Sequence, residues 1–289
     1  MALIESRKVT VLDGAMGTEL QRRGARVELP LWSALPLIEN PNLIFSIHRE
    51  YCEAGADILT TNTFRTHRRS LEKGGLGDKA ESLTRLAVRL AKDAAEGKQL
   101  VAGSISPLED CYRPDLSPGS ALDEFLEIAE WLLDAGCDLL LIETMNNLTE
   151  ARSAIRAAQK FEAEFFFSIN PSNRDPQTLL SGEMVREALR VAEGEGASAF
   201  LVNCSPPEII ERSIESLAPY SQLPYGGYAN NGTPDDRDGW RFDRELAPSQ
   251  FADHVERILS FGSTIVGGCC GTTPAHIKEL SKRLAPTRG

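Results

Sequence analysis

No apolar run in this chain approaches the roughly 18 residues needed to cross a bilayer, and residues 1–8 lack the apolar core of a signal peptide. Cysteine is sparse: six in 289 residues, too few for a disulfide scaffold at this length. Free thiols fit a reducing cytosol, so a cytoplasmic protein with no membrane partner is expected. Positive charge is not in excess. Lys and Arg number 31 against 42 Asp and Glu, a net charge of −11, which argues against nucleic acid as a partner and leaves a cationic substrate open. Histidine is scarce, at four. Neither a dinucleotide-binding glycine fingerprint nor a Walker A loop stands in its proper context, and no serine nucleophile elbow is visible.

What is present is an alternation of short apolar runs with amphipathic stretches. Strands are expected at 9–12, 57–61, 99–102, 138–142, 165–169, 199–202, 224–228 and 263–266. Helices are expected at 41–54, 78–96, 121–135, 148–161, 181–193, 207–217, 249–260 and 274–284. The seventh strand is poor, with two glycines and a proline. Eight strand–helix pairs without a composition break predict an α/β chain, one (β/α)₈ TIM barrel spanning 1–289 as a single domain. An open doubly wound sheet is the rival. Three stretches are too long for tight connections: 25–40, 105–120 and 229–247. The last two follow strands and so belong to the catalytic face, and 229–247 reads as a lid that orders over substrate.

The sequence Val266-Gly267-Gly268-Cys269-Cys270-Gly271-Thr272-Thr273-Pro274 is the most unusual stretch. Adjacent Cα atoms lie about 3.8 Å apart, closer than a disulfide's usual span. Within a strand the two side chains would point to opposite faces. If the strand ends there, both sulfurs can turn toward one point. Cys204 also ends an apolar run, in Asn203-Cys204-Ser205-Pro206-Pro207. Three thiolates are one ligand short of a closed zinc tetrahedron, the pattern of a catalytic site. The competing reading is three buried small hydrophobes.

The predicted strand ends carry Asp13, Asn62, Ser104, Glu143, Asn170, Cys204 and the Cys269–Cys270 pair. Catalytic residues of a barrel gather there. Turn and cap chemistry also places Asn62, Ser104 and Asn170 at such junctions. Asp13 precedes Gly14-Ala15-Met16-Gly17, a turn able to offer backbone N–H groups to a carboxylate. Glu143 follows a mostly apolar strand and needs a cationic partner if buried. Two carboxylates beside backbone donors suit an α-amino acid; a structural ion pair is the alternative. His276 reads as a polar residue of the last helix's first turn rather than a fourth metal ligand, and His48, His67 and His254 read as solvated.

Leu12-Asp13-Gly14-Ala15-Met16-Gly17-Thr18, Thr61-Asn62-Thr63-Phe64, Ile142-Glu143-Thr144, Asn203-Cys204 and Gly267-Gly268-Cys269-Cys270-Gly271 together resemble the homocysteine S-methyltransferase family, from about residue 11 to 280. The resemblance implies a (β/α)₈ barrel with Zn²⁺ held by Cys204, Cys269 and Cys270, and homocysteine sulfur at the fourth position. Asp13 and Glu143, with amides near Gly14 and Ala15, would hold the amino acid end. The expected activity is methyl transfer to homocysteine, forming methionine.

Betaine-using members carry tyrosine where this chain has Arg65 and Thr144. A quaternary ammonium donor needs an aromatic cage, so a sulfonium such as S-methylmethionine is the expected donor. A separate corrinoid protein, a different thiol acceptor, and a non-catalytic zinc-binding protein are the alternatives. Small molecules are the expected partners, and a homo-oligomer is left open.

Overall fold

The computed structural model describes residues 9–235 and 239–285. The reading of 1–8, and the centre of the proposed lid at 236–238, lie outside the described residues.

Eight strands form one parallel sheet: β1 (Thr10–Val11), β2 (Ile58–Thr60), β3 (Leu100–Ile105), β4 (Leu139–Met145), β5 (Phe165–Ile169), β6 (Ala199–Asn203), β7 (Tyr225–Ala229) and β10 (Ile265–Gly268). Their order is β1-β10-β7-β6-β5-β4-β3-β2. A parallel bridge between Leu12 and Ile58 joins the two ends and closes the barrel. Helices follow the strands around the outside, so the (β/α)₈ architecture is the observed one.

Side-chain alternation sorts each strand into two faces. Leu12, Ile58, Ala102, Leu139, Leu141, Phe166, Ala199, Leu201 and Ile265 form the apolar barrel interior. Leu140, Ile142, Phe167, Phe200 and Val202 belong to the separate layer between strands and helices. The inward parity continues upward into Ser104, Glu143, Ser168, Asn203 and Tyr228. The interior therefore changes from apolar to polar toward the strand C-termini.

The helices earn their places by amphipathic pattern and by their ends. Pro41–Ala54 begins at Asn40, whose side chain accepts from the Leu43 amide at 3.3 Å, and stops at Gly55 with φ +95°. Pro207–Leu217 and Pro274–Leu284 have the predicted bounds. The seventh strand, poor by composition, is a full member paired with β6 and β10. Its glycines are steric requirements: a Cβ on Gly226 would sit 1.6 Å from the Ile265 carbonyl oxygen.

The long connections carry structure. The stretch 25–40 contains the turn Trp32–Ala34 and the helix Leu35–Glu39. The stretch 229–247 contains an antiparallel hairpin, β8 (Thr233–Asp235) and β9 (Gly239–Arg241). Among the described residues no helix is long and apolar enough to cross a membrane.

Candidate active site

Cys204 follows β6, and Cys269 and Cys270 follow β10. The three Sγ atoms lie within 4.8 Å of one another. Around a tetrahedral ion with metal–sulfur bonds of about 2.3 Å, sulfurs stand roughly 3.8 Å apart, so the cluster fits one shared metal. The structure thus brings together three cysteines that the sequence separates by up to 66 positions.

The backbone is built for this convergence. Cys269 keeps the ladder, its amide donating to Ala229 O at 2.8 Å, and the chain then turns. The Thr272 hydroxyl donates to Cys269 O at 2.7 Å, closing that turn. Gly271 has φ +82°, and a Cβ there would meet Asn231 O at 1.7 Å. Cys204 itself holds φ +60°, a left-handed conformation uncommon for a residue with a side chain.

Hydrogen bonds from Cys111, Cys269 and Cys270 draw the Cys204 thiol well below its ordinary range. Hydrogen bonding to Cys204 holds Cys269 and Cys270 well above theirs. A divalent metal held by all three would stabilise every thiolate it touches. The Tyr112 hydroxyl lies 3.1 Å from Cys204 Sγ.

Asp13 and Glu143 are both buried, at 4% and 7% exposure, and neither has a salt bridge among the described residues. Asp13 Oδ2 accepts from the Thr60 amide at 2.8 Å. Burial still pushes its carboxyl up to about 8. Glu143 Oε1 accepts from Ser104 Oγ at 2.5 Å and Oε2 from Tyr228 OH at 3.0 Å. Burial pushes it up to about 7. The structural ion pair weighed for these acids is absent among the described residues. Two buried carboxyls without a counter-ion leave room for a cation that would favour their ionised forms.

Ser104 and Glu143 lie inside β3 and β4 rather than at their ends, because both strands run further than their apolar cores. Beyond Glu143, β4 shifts register between Ile142 and Met145, with Thr144 at φ +61°. Asn203 holds that kink. Its Oδ1 accepts from Thr144 N at 3.1 Å and Ser168 Oγ at 2.7 Å, and its Nδ2 donates to Thr144 Oγ1 at 2.8 Å.

The remaining expected residues divide. Asn62 lines the cavity and donates to Ser33 O at 2.8 Å. Gly14 and Ala15 line it too, but the Ala15 amide already donates to Thr272 Oγ1 at 3.2 Å. Asn170 is buried and accepts from Ser205 Oγ at 3.1 Å, supporting the loop behind Cys204. His276 caps its helix, its Nδ1 accepting from the Thr273 amide at 3.1 Å. The expectation that His48 and His67 are solvated is corrected. Both are buried, and burial lowers each ring to about 3, so they stay neutral. They face inward because helix periodicity at 48, and the cap of a short helix at 67, outweigh polarity. His254 is half-buried and paired with Glu211.

The three sulfurs and two carboxylates face one cavity of about 380 Å³. Its walls include Trp32, Phe64, Tyr112, Tyr228 and Trp240, with Trp240 supplied by the β8–β9 hairpin. Missing tyrosines at 65 and 144 therefore do not leave it without aromatic rings. Tyr112 and Tyr228 carry no signal in the sequence reading, and Asn203 and Thr272 enter it only as parts of the motifs around the cysteines. Tyr228 lies within the poor β7 run, and only its inward parity could have signalled it.

The homocysteine S-methyltransferase family model matches residues 10–284. A homocysteine S-methyltransferase of Escherichia coli is 32% identical over 310 residues, covering 98% of this chain and 97% of that one. The crystal structure of the homocysteine methyltransferase MmuM from Escherichia coli in metallated form aligns with a TM-score of 0.84 at 32% identity, covering 98% of each chain. A selenocysteine Se-methyltransferase of Brassica oleracea is 30% identical over 319 residues, covering 99% of this chain and 92% of its own.

Proposed function

This chain belongs to the homocysteine S-methyltransferase family and is a methyltransferase, and we propose that it moves a methyl group from a sulfonium donor to L-homocysteine at a zinc ion held by Cys204, Cys269 and Cys270. The observation that carries the reading is the placement of three mutually close sulfurs beside two buried, uncompensated carboxylates in one cavity. The sulfur-only donor set suits zinc, a borderline-soft ion.

Bound zinc would supply thiol acidity, since a free thiol near pKa 8.5 is mostly protonated at neutral pH. Everything else falls to the protein. Asp13 and Glu143 take the homocysteine ammonium, whose charge restores theirs. Ser104 and Tyr228 fix the Glu143 carboxylate so that the amino acid end is anchored in one place. Held there, the acceptor sulfur is oriented for in-line attack, the larger part of the entropic cost being met on binding.

The aromatic walls receive the cationic donor. The acceptor sulfur forms a bond to the methyl carbon as the donor's S–CH₃ bond breaks, and the electron pair stays on the departing sulfur as a neutral thioether. The thiol proton leaves to water at the mouth. The β8–β9 hairpin, with Trp240 on the cavity wall, keeps bulk water from competing.

The test is methionine formation from homocysteine against S-methylmethionine, S-adenosylmethionine, betaine, a methylcorrinoid and methyltetrahydrofolate, with metal content measured on the same sample. Turnover with S-methylmethionine and about one zinc per chain is expected. Turnover with the methylcorrinoid alone would overturn the donor. Because the Brassica relative is named for selenocysteine, that acceptor belongs in the same panel.

A further inference from the structure

Arg65 is the single cationic side chain among the described residues that line the cavity, which also carries Asp13, Asp110, Glu143 and Asp235. It follows the 61–64 turn after β2. Its neighbours Arg68 and Arg69 are consumed by Glu127 and Glu124. Arg65 makes no salt bridge among the described residues. The adjacent Glu109 carboxylate is taken by Arg69 and Lys73, leaving Arg65 Nη1 only the Glu109 backbone carbonyl, at 3.2 Å. The guanidinium also lies over the Phe64 ring, 5.5 Å from its centroid. Arg65 lines the same cavity as Cys111, Cys204, Cys269 and Cys270. A guanidinium anchored at one nitrogen, stacked on a ring and otherwise open presents a fork that matches a carboxylate.

Which carboxylate it meets follows from depth. Asp13 and Glu143 are buried at the floor, where the acceptor must sit for its sulfur to reach the cysteine cluster. Arg65 is only half-buried, at the rim, where the second substrate enters. We propose that Arg65 binds a carboxylate carried by the methyl donor, so that this enzyme selects a zwitterionic sulfonium over a bare sulfonium cation. The inference rests on the sulfonium reading above and deepens it. The aromatic walls recognise the sulfonium end, common to both donor types, and Arg65 recognises the end that differs.

The experiment compares 3-(dimethylsulfonio)propionate with trimethylsulfonium, matched in methylating group and differing in the carboxylate. The measured quantity is the ratio of their kcat/KM values in the wild type, Arg65→Met and Arg65→Lys. The ratio should fall roughly 10- to 100-fold in Arg65→Met, through the propionate donor's KM, with partial recovery in Arg65→Lys. Calorimetric binding of each sulfonium without homocysteine provides a readout independent of turnover. An unchanged ratio, or a change carried by the KM of homocysteine, would overturn the assignment. Carboxylate-dependent binding that needs Arg65, in a wild type that transfers no methyl from any sulfonium, would support the Arg65 site and sink the proposed reaction instead.

Discussion

Tyr228, on β7, donates a hydrogen bond of 3.0 Å to Glu143, on β4, across the barrel interior. It joins Ser104 in holding the carboxylate and in opposing the burial that raises it. Tyr228→Phe removes one donor to the charged form, an interaction worth about 1.5–3 kcal/mol. The KM for homocysteine should rise roughly tenfold or more, with kcat changed less. Steady-state kinetics varying homocysteine checks this, and a fall confined to kcat would contradict the anchoring role.

Metal removal provides a second prediction. Cys204→Ser, Cys269→Ser and Cys270→Ser should each lose bound zinc and methionine formation together, since two thiolates hold zinc far more weakly than three. Cys52→Ser should keep both, because Cys52 lies on the Pro41–Ala54 helix with its thiol toward Ala94 O at 3.5 Å. Elemental analysis after dialysis is the measurement, and zinc retained by Cys204→Ser would remove that ligand from the site.

The two buried acids predict a proton signature. With Asp13 near 8 and Glu143 near 7, both are partly protonated at pH 6.5 in the free protein. A bound ammonium favours the ionised form and lowers both values, so binding must release protons at that pH. L-2-aminobutyrate, an amino acid without a thiol, isolates the effect. Calorimetry in buffers of different ionisation enthalpy should show net release at pH 6.5, shrinking toward pH 9 as the free acids ionise. Proton uptake would mean that the ammonium binds elsewhere.

Gly226 yields a stability prediction. With a Cβ 1.6 Å from Ile265 O, Gly226→Ala must push β7 and β10 apart. Overpacking costs about 1–3 kcal/mol and more when backbone is the obstacle. A melting temperature lowered by roughly 5 °C or more is expected. Gly24→Ala is not a matched control, since Gly24 has φ +78° and would be strained even in open space. Gly194→Ala, in a helix with nothing near its Cβ, is the better comparison.

Local order was legible in the sequence because it is set locally. Periodicity of two and of 3.6, Asn40 with Pro41, and the glycines around Cys269 and Cys270 each report their own neighbourhood. They were enough to give eight strand–helix pairs, a closed parallel barrel and the segments bearing the three cysteines. The ends of β3 and β4 were misjudged, since an apolar count stops at the first polar residue. Those strands continue in the backbone ladder, Ser104 pairing with Leu141 and Ile105 with Ile142, while Ser104 and Glu143 bond to each other inside the barrel. His48 and His67 were placed in solvent, since a residue's polarity does not tell which face its helix turns inward.

Only the tertiary structure brought Tyr228 to Glu143, Tyr112 to Cys204 and Thr272 to Ala15. These pairs are separated by 85, 92 and 257 positions. Their contacts depend on barrel closure and strand register, quantities to which no short window of sequence is sensitive. The chain by itself placed the candidate side chains, Asp13, Glu143 and the three cysteines, at or near the ends of its strands. Folding decided which of them are stripped of water and partners, because burial and pairing depend on barrel closure rather than on neighbours in sequence.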